Sequence, residues 1–151
     1  MSGIYEGDLI RPLGLVTLYF AYAESELDML IETLLSGEPY NDKNRQWPVG
    51  KKLNYTQKLV SKLNAESLGG LKATLKEARS LFERRNVLVH SSIFEGGRIV
   101  SNRKNITVQQ VSENDLLQLA ELIFTCKEHI NMHRCRYLMP LLAVKEKQHG
   151  T

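Results

Sequence analysis

The sequence predicts an all-α protein, an antiparallel bundle of four to five helices with a short β-hairpin between the third and fourth. Three observations predict it. Apolar residues recur at steps of three and four over most of the chain. The breaks in that pattern fall at Gly37, Gly69-Gly70 and Gly96-Gly97, where turns belong. The 151 residues, 42% of them hydrophobic, are enough for one core and one domain. The bundle is expected over about 13–135, and "VKEKQHGT", about 143–151 with its flank, as a polar tail.

From about 13 to 36, Val16, Phe20, Ala23, Leu27, Leu30, Ile31 and Leu34 form one helical face, which Gly37 ends. Leu15, Leu18, Tyr22 and Met29 form a second, narrower stripe on the opposite side. A helix apolar on two sides is central in its own domain or shared with a second subunit. The stretch "EPYNDKNRQWP" has loop composition. A second helix, about 50 to 64, sets Leu53, Leu59, Val60 and Leu63 among four lysines.

The third helix is expected from about 68 to 91, with Leu71, Leu75, Ala78, Leu81, Phe82, Leu88 and Val89 on one side. Two apolar runs flanking Gly96 and Gly97 then predict the hairpin. Ser112, with Asp115 three residues on, reads as a capping box that opens a fourth helix faced by Leu116, Leu119, Ala120, Ile123, Cys126 and Ile130. Pro140 is expected to end any extension of it.

Charge is unevenly spread although the net is only +3. Up to residue 38, seven acids stand against Arg11 alone, whereas residues 39 to 92 carry eleven Lys and Arg against Asp42, Glu66, Glu77 and Glu83. The two regions either face each other, present the basic part to a polyanion, or are solvated helix faces of opposite sign. No apolar run is long enough to span a membrane and no leader-like start is present, so a cytoplasmic protein without membrane association is expected. Cys126 and Cys135 are expected as thiols rather than a disulfide framework.

Arg85 raises the functional question. It points into the middle of the third helix's apolar side, at the heptad step that continues Leu71 and Ala78. A guanidinium cannot shed its charge, and left dry and unpaired it costs several kcal/mol. It requires a carboxylate, with Glu24 and Glu26 as candidate supporting acids, or an opening through which an anion arrives. Asn86 and His90 are four apart and share a face, while Arg85 and His90 differ by ~140° about the axis.

Arg85-Asn86-Val87-Leu88-Val89-His90 is an R-N-x-x-x-H sequence at the end of the third of four helices, followed by Ser91 and a polar turn. In motif and helix order the chain, over about residues 13 to 135, resembles HEPN domains (higher eukaryotes and prokaryotes nucleotide-binding). The resemblance implies an all-α bundle that dimerises so that two such motifs face one another. It further implies a metal-independent endoribonuclease without cofactor, of the kind found in toxin–antitoxin, phage-defence and RNA-processing systems. The alternative within the family is a catalytically silent module that binds a nucleotide or a protein. Implied partners are RNA or a nucleotide, a second copy, and an antitoxin or effector protein. No fused nucleotidyltransferase or effector-sensing module is expected from these residues, which leaves the pathway open.

The chemistry asks for these residue types. Strand cleavage by the RNA's own 2′-hydroxyl needs a proton acceptor, a proton donor and neutralisation of the phosphorane oxygens. His90 suits the proton steps near neutral pH, Arg85 can hold two phosphate oxygens, and Asn86 can orient either. Arg84, Ser91 and Arg98 flank this set as candidate substrate contacts, and Arg103 and Lys104 could steer a backbone. Cys126, His129 and His133 share a side of the fourth helix but lack the turn spacing of a zinc site, and no metal is expected.

Overall fold

The computed structural model describes residues 9–89, 91–94, 98–101 and 108–149. They are mostly helical. Helix α1 spans Ile10–Leu35, α2 Asp42–Arg45, α3 Val49–Leu63, α4 Gly69–Val89, α5 Glu113–His133 and α6 Met139–His149. Three short strands lie between α4 and α5: β1 Ser91–Phe94, β2 Arg98–Ser101 and β3 Val108–Gln110.

Helix α1 begins earlier than its periodicity suggests, because Pro12 falls in the first turn, where its missing N–H has no intrahelical partner to lose. Its end is set by Ser36 in the left-handed region at φ 49°, followed by Gly37 at φ 95°. The loop composition after it conceals α2, opened by the Asn41 side chain accepting from the Asn44 N–H at 3.0 Å. Asn64, left-handed at φ 48°, closes α3.

At the start of α5 the expected capping box forms. The Asp115 N–H donates to Ser112 Oγ at 3.1 Å, and the Ser112 N–H donates to Asp115 Oδ2 at 2.9 Å.

Pro140 does not stop the chain's last helical run. Residues Arg134–Leu138 form a π-helical turn, and α6 follows directly with Pro140 as its second residue. The wider turn absorbs the bond that proline cannot donate. The expected polar tail is therefore helical as far as His149, with Leu141 and Leu142 packed on the core.

The core forms where α1 lies along α5 for most of its length, with α3 and α4 closing the other sides. Val16, Phe20, Ala23, Leu27, Leu30 and Ile31 supply the α1 share, and all six predicted α5 positions are buried. Leu34 is only half-buried, and Leu35 takes the core place instead. Of the second α1 stripe, Leu18, Tyr22 and Met29 stand exposed on this protomer, whereas Leu15 is half-buried. Phe124 of α5 lies beside that stripe, 5.0 Å from the Tyr19 ring centre.

Strands β1 and β2 pair antiparallel, Ser91 opposite Ser101 and Phe94 opposite Arg98, and β3 joins β2 with Val100 opposite Val108. The glycine turn expected at Gly96 and Gly97 lies outside the described residues. Strand β3 has no counterpart in the predicted pattern, since three residues, two of them glutamine, carry no alternation to read.

Candidate functional site around Arg85

Arg85 sits in the last two turns of α4, half-buried on the side that faces α1. Its guanidinium lies over the Phe20 ring, 3.8 Å from the centroid, and Phe20 is itself held edge-on by Phe82 at 5.1 Å. Stacking on an aromatic face is how a planar, weakly hydrated cation tolerates an apolar wall. Nη1 donates to the Asn86 Oδ1 at 3.0 Å. Nε is buried and has no hydrogen-bond partner among the described residues. Burial lowers the Arg85 pKa from its ordinary value, and the negative charge of Glu24 works against that shift.

Neither of the expected carboxylates closes an ion pair on Arg85. Glu24 Oε1 is 3.0 Å from Lys52 Nζ, and Asp28 Oδ1 is the same 3.0 Å from that ammonium. Lys52 is 1% exposed, so its charge is the more costly to leave unmatched and it takes both acids. Tyr40 donates its hydroxyl to Asp28 in a short hydrogen bond, and burial together with that carboxylate raises the Tyr40 pKa above its ordinary value. Glu26 turns to the opposite side of α1, where it accepts from Arg134 Nε at 3.2 Å and from Asn131 Nδ2 at 3.0 Å. Glu26 thus locks α1 to α5 and the π turn, away from Arg85. Glu24 stays close enough to attract Arg85, but its carboxylate is engaged with Lys52.

The site that results is a guanidinium with one face on an aromatic ring, one edge on an amide, and donor capacity left for an oxyanion. Other predicted members fall as follows. His90 lies outside the described residues, as do Arg103 and Lys104. Ser91 and Arg98 are placed by backbone alone, in β1 and at the start of β2. Arg84 is exposed and directed toward the start of α5, where its charge helps hold the Asp115 carboxyl below the ordinary range, behind the larger effect of the capping hydrogen bonds.

Among the described residues no group of three His, Cys, Asp or Glu is placed to hold a metal ion. Cys126 is buried with its Sγ 3.8 Å from the Thr74 carbonyl oxygen, and burial, with Glu77 adding to it, pushes its thiol up to about 12. It is a core residue and not a thiolate ligand at neutral pH. His133 packs its ring against Tyr137 and toward Gly70.

Two residues of the site escaped the sequence reading. Phe20 is legible only as a core position, because nothing in its spacing says that a cation will lie on it. Lys52 did leave a signal, since it shares the inward face of α3 with Leu53, Thr56 and Val60, and a lysine there demands an acid.

No protein-family model, curated protein or solved structure matches this chain. Among the described residues no helix is long and apolar enough to cross a membrane.

Proposed function

We propose that this chain is a HEPN-type domain that cleaves RNA by metal-independent attack of the 2′-hydroxyl, at a site completed by a second copy. The observation that carries this reading is the state of Arg85. Its expected acids are engaged elsewhere, one edge rests on Asn86, and Nε has no described partner. A half-buried cation left in that condition suits a phosphate, whose oxygens accept two parallel N–H bonds and offset the desolvation.

In the reaction the 2′-oxygen forms a bond to phosphorus while the bond to the 5′-oxygen breaks. One proton leaves the 2′-hydroxyl and one reaches the departing 5′-oxygen, leaving a 2′,3′-cyclic phosphate. Arg85 neutralises the non-bridging oxygens, with Asn86 fixing its edge. His90, four residues beyond Asn86 in the motif, takes the proton steps, and the partner's copy of the motif supplies the second acid–base group. The exposed Leu18, Tyr22 and Met29 on α1 support self-association, since one small bundle leaves that stripe uncovered, but they lie on the side of α1 opposite Phe20, so the pairing of two Arg85 motifs rests on the family reading alone. A cytoplasmic setting with an antitoxin or other effector protein follows from the family reading alone.

The test is incubation of the purified protein with mixed RNA in EDTA, followed by end-group analysis. Cyclic-phosphate ends, lost together with ~10²-fold or more of the rate in His90→Ala, are the expected result. Cleavage that disappears with chelator, or that survives His90→Ala unchanged, refutes the mechanism. Saturable nucleotide binding without cleavage, abolished by Arg85→Ala, transfers the assignment to a catalytically silent binding module.

A further inference from the structure

The basic middle of the sequence folds into two neighbouring helices that set their exposed lysines along one groove. Helices α3 and α4 are joined by a short link, residues 64–68, that ends in a 3-10 turn at Glu66–Leu68, so that Gly69 and Gly70 open α4 rather than form the expected break; the two helices pack on one another and run antiparallel. Their register is set by Arg79 of α4, whose Nη2 donates to Asn54 Oδ1 at 2.6 Å and to Gln57 Oε1 at 2.7 Å on α3. Stepping back along α4 from Arg79 while stepping forward along α3 from these partners brings Lys76 level with Lys58, and Lys72 level with Lys62. All four lysines are exposed. Among the described residues none of them has a carboxylate within 4.0 Å, and neither does Arg79.

Two pairs of like charge at matching heights on neighbouring helices, beside a cation hydrogen-bonded only to amide oxygens, repel one another and are relieved by an anion lying along the groove between them. The cleft also has a direction. Lys72, Arg79 and Asn86 are seven residues apart on α4 and therefore lie along one line of that helix. From Lys72 to Asn86 the rise is ~21 Å, several nucleotides of extended strand. Asn86 is the residue that holds the Arg85 edge. At that end Trp47 stands against Tyr55 at 5.5 Å with the Lys51 ammonium 4.3 Å from its ring centroid. Glu83 is exposed near the same line, between Arg79 and Asn86, and opposes an incoming phosphate.

We infer that the α3–α4 cleft is a track for the phosphate backbone of a single RNA strand, leading it along Lys62/Lys72 and Lys58/Lys76 to Asn86 and Arg85. The choice of RNA among polyanions rests on the proposed cleavage reaction. The track itself rests on the arrangement of charge. It reads phosphates and carries no base specificity of its own.

The test separates binding from cleavage by using a fluorescein-labelled 2′-O-methyl RNA, which lacks the nucleophile and cannot be cut by the proposed route. Anisotropy titration of the full chain across a salt series gives both affinity and its salt slope. The double variant Lys58→Gln/Lys76→Gln removes two phosphate contacts. It is expected to lose ~10-fold or more in affinity at ~0.1 M salt and to flatten the log–log slope by roughly 1.4, from ~0.7 per contact on a single strand. Glu83→Gln is expected to tighten binding, and Lys145→Gln/Lys147→Gln on α6 to leave it unchanged. The inference is overturned by a Lys58/Lys76 variant with wild-type affinity and slope, or by an equal loss in the α6 pair, which would make the effect one of net charge alone. A wild-type protein that ignores the RNA and binds polyglutamate also overturns it, in favour of an acidic protein partner. Strand binding that follows this pattern without cleavage of natural RNA removes the proposed reaction and leaves the track standing, while cleavage with normal binding in the double variant does the reverse.

Discussion

Replacing Arg85 and replacing Lys52 by alanine should have very different costs, although both are cations on the inward side of a helix. Arg85→Ala gives up stacking on Phe20 and one side-chain hydrogen bond to Asn86. The first contributes ~0.5–2 kcal/mol and the second ~1 kcal/mol, while release of the long side chain returns part of that as rotamer entropy. The net loss is ~1–2 kcal/mol, because no carboxylate is orphaned when the guanidinium leaves. Lys52→Ala leaves Glu24 and Asp28 facing each other without the ammonium that each approaches at 3.0 Å. Breaking such a pair from one side costs ~3–5 kcal/mol, and the lower end applies because Glu24 is 33% exposed and can regain water. For a domain of this length ~1 kcal/mol moves the melting midpoint by ~2–4 °C. Urea unfolding followed by far-UV circular dichroism should therefore separate the two variants clearly. If Arg85→Ala proves as destabilising as Lys52→Ala, Arg85 is held by a buried ion pair after all, and the argument that it awaits an external phosphate fails.

The contact between the ends of α4 and α5 gives two further predictions. A Cβ added at Gly70 would come within 2.5 Å of His133 Cε1, so Gly70→Ala should destabilise by ~1 kcal/mol despite alanine's better helix propensity, and the loss should vanish in a His133→Ala background when midpoints are compared. His133 titrates below its ordinary range, chiefly because it is buried and secondarily because His129 is near. The native state therefore resists its protonation: the contribution of a neutral His133 is complete above about pH 6.5 and is lost as pH falls through its lowered folded value. Urea midpoints measured at about pH 7.5 and about pH 5 should fall less steeply in His133→Gln than in the wild type, and equal slopes would show that the imidazole is not sheltered.

Local periodicity and local chemistry are enough to predict α1, α3, α4 and α5, though not α2 or α6, because an amphipathic stripe, a capping box and a left-handed cap each involve residues within a few positions of one another. The burial of Val16 through Ile31, the Ser112–Asp115 box and the core face of α5 all follow from such short-range patterns. Pro140 departs from its expected role for the same reason. Local rules make proline a stop, and only the widened turn at Arg134–Leu138, anchored by the Arg134–Glu26 bond to a distant helix, lets the run continue. At the candidate site the sequence alone determined that Arg85 lies on an apolar face with Asn86 beside it and that it must find a counter-charge or an anion. It could not decide which acid goes where. Glu24, Glu26 and Asp28 are close in the chain, and their partners Lys52, Arg134 and Tyr40 are brought to them from three separate segments. Electrostatic pairing depends on distance through space and on which charge is most deeply desolvated, and neither quantity exists until α1 has been packed against α3 and α5. The tertiary structure gave those acids to other cations and put Phe20, a residue legible only as core, beneath the guanidinium.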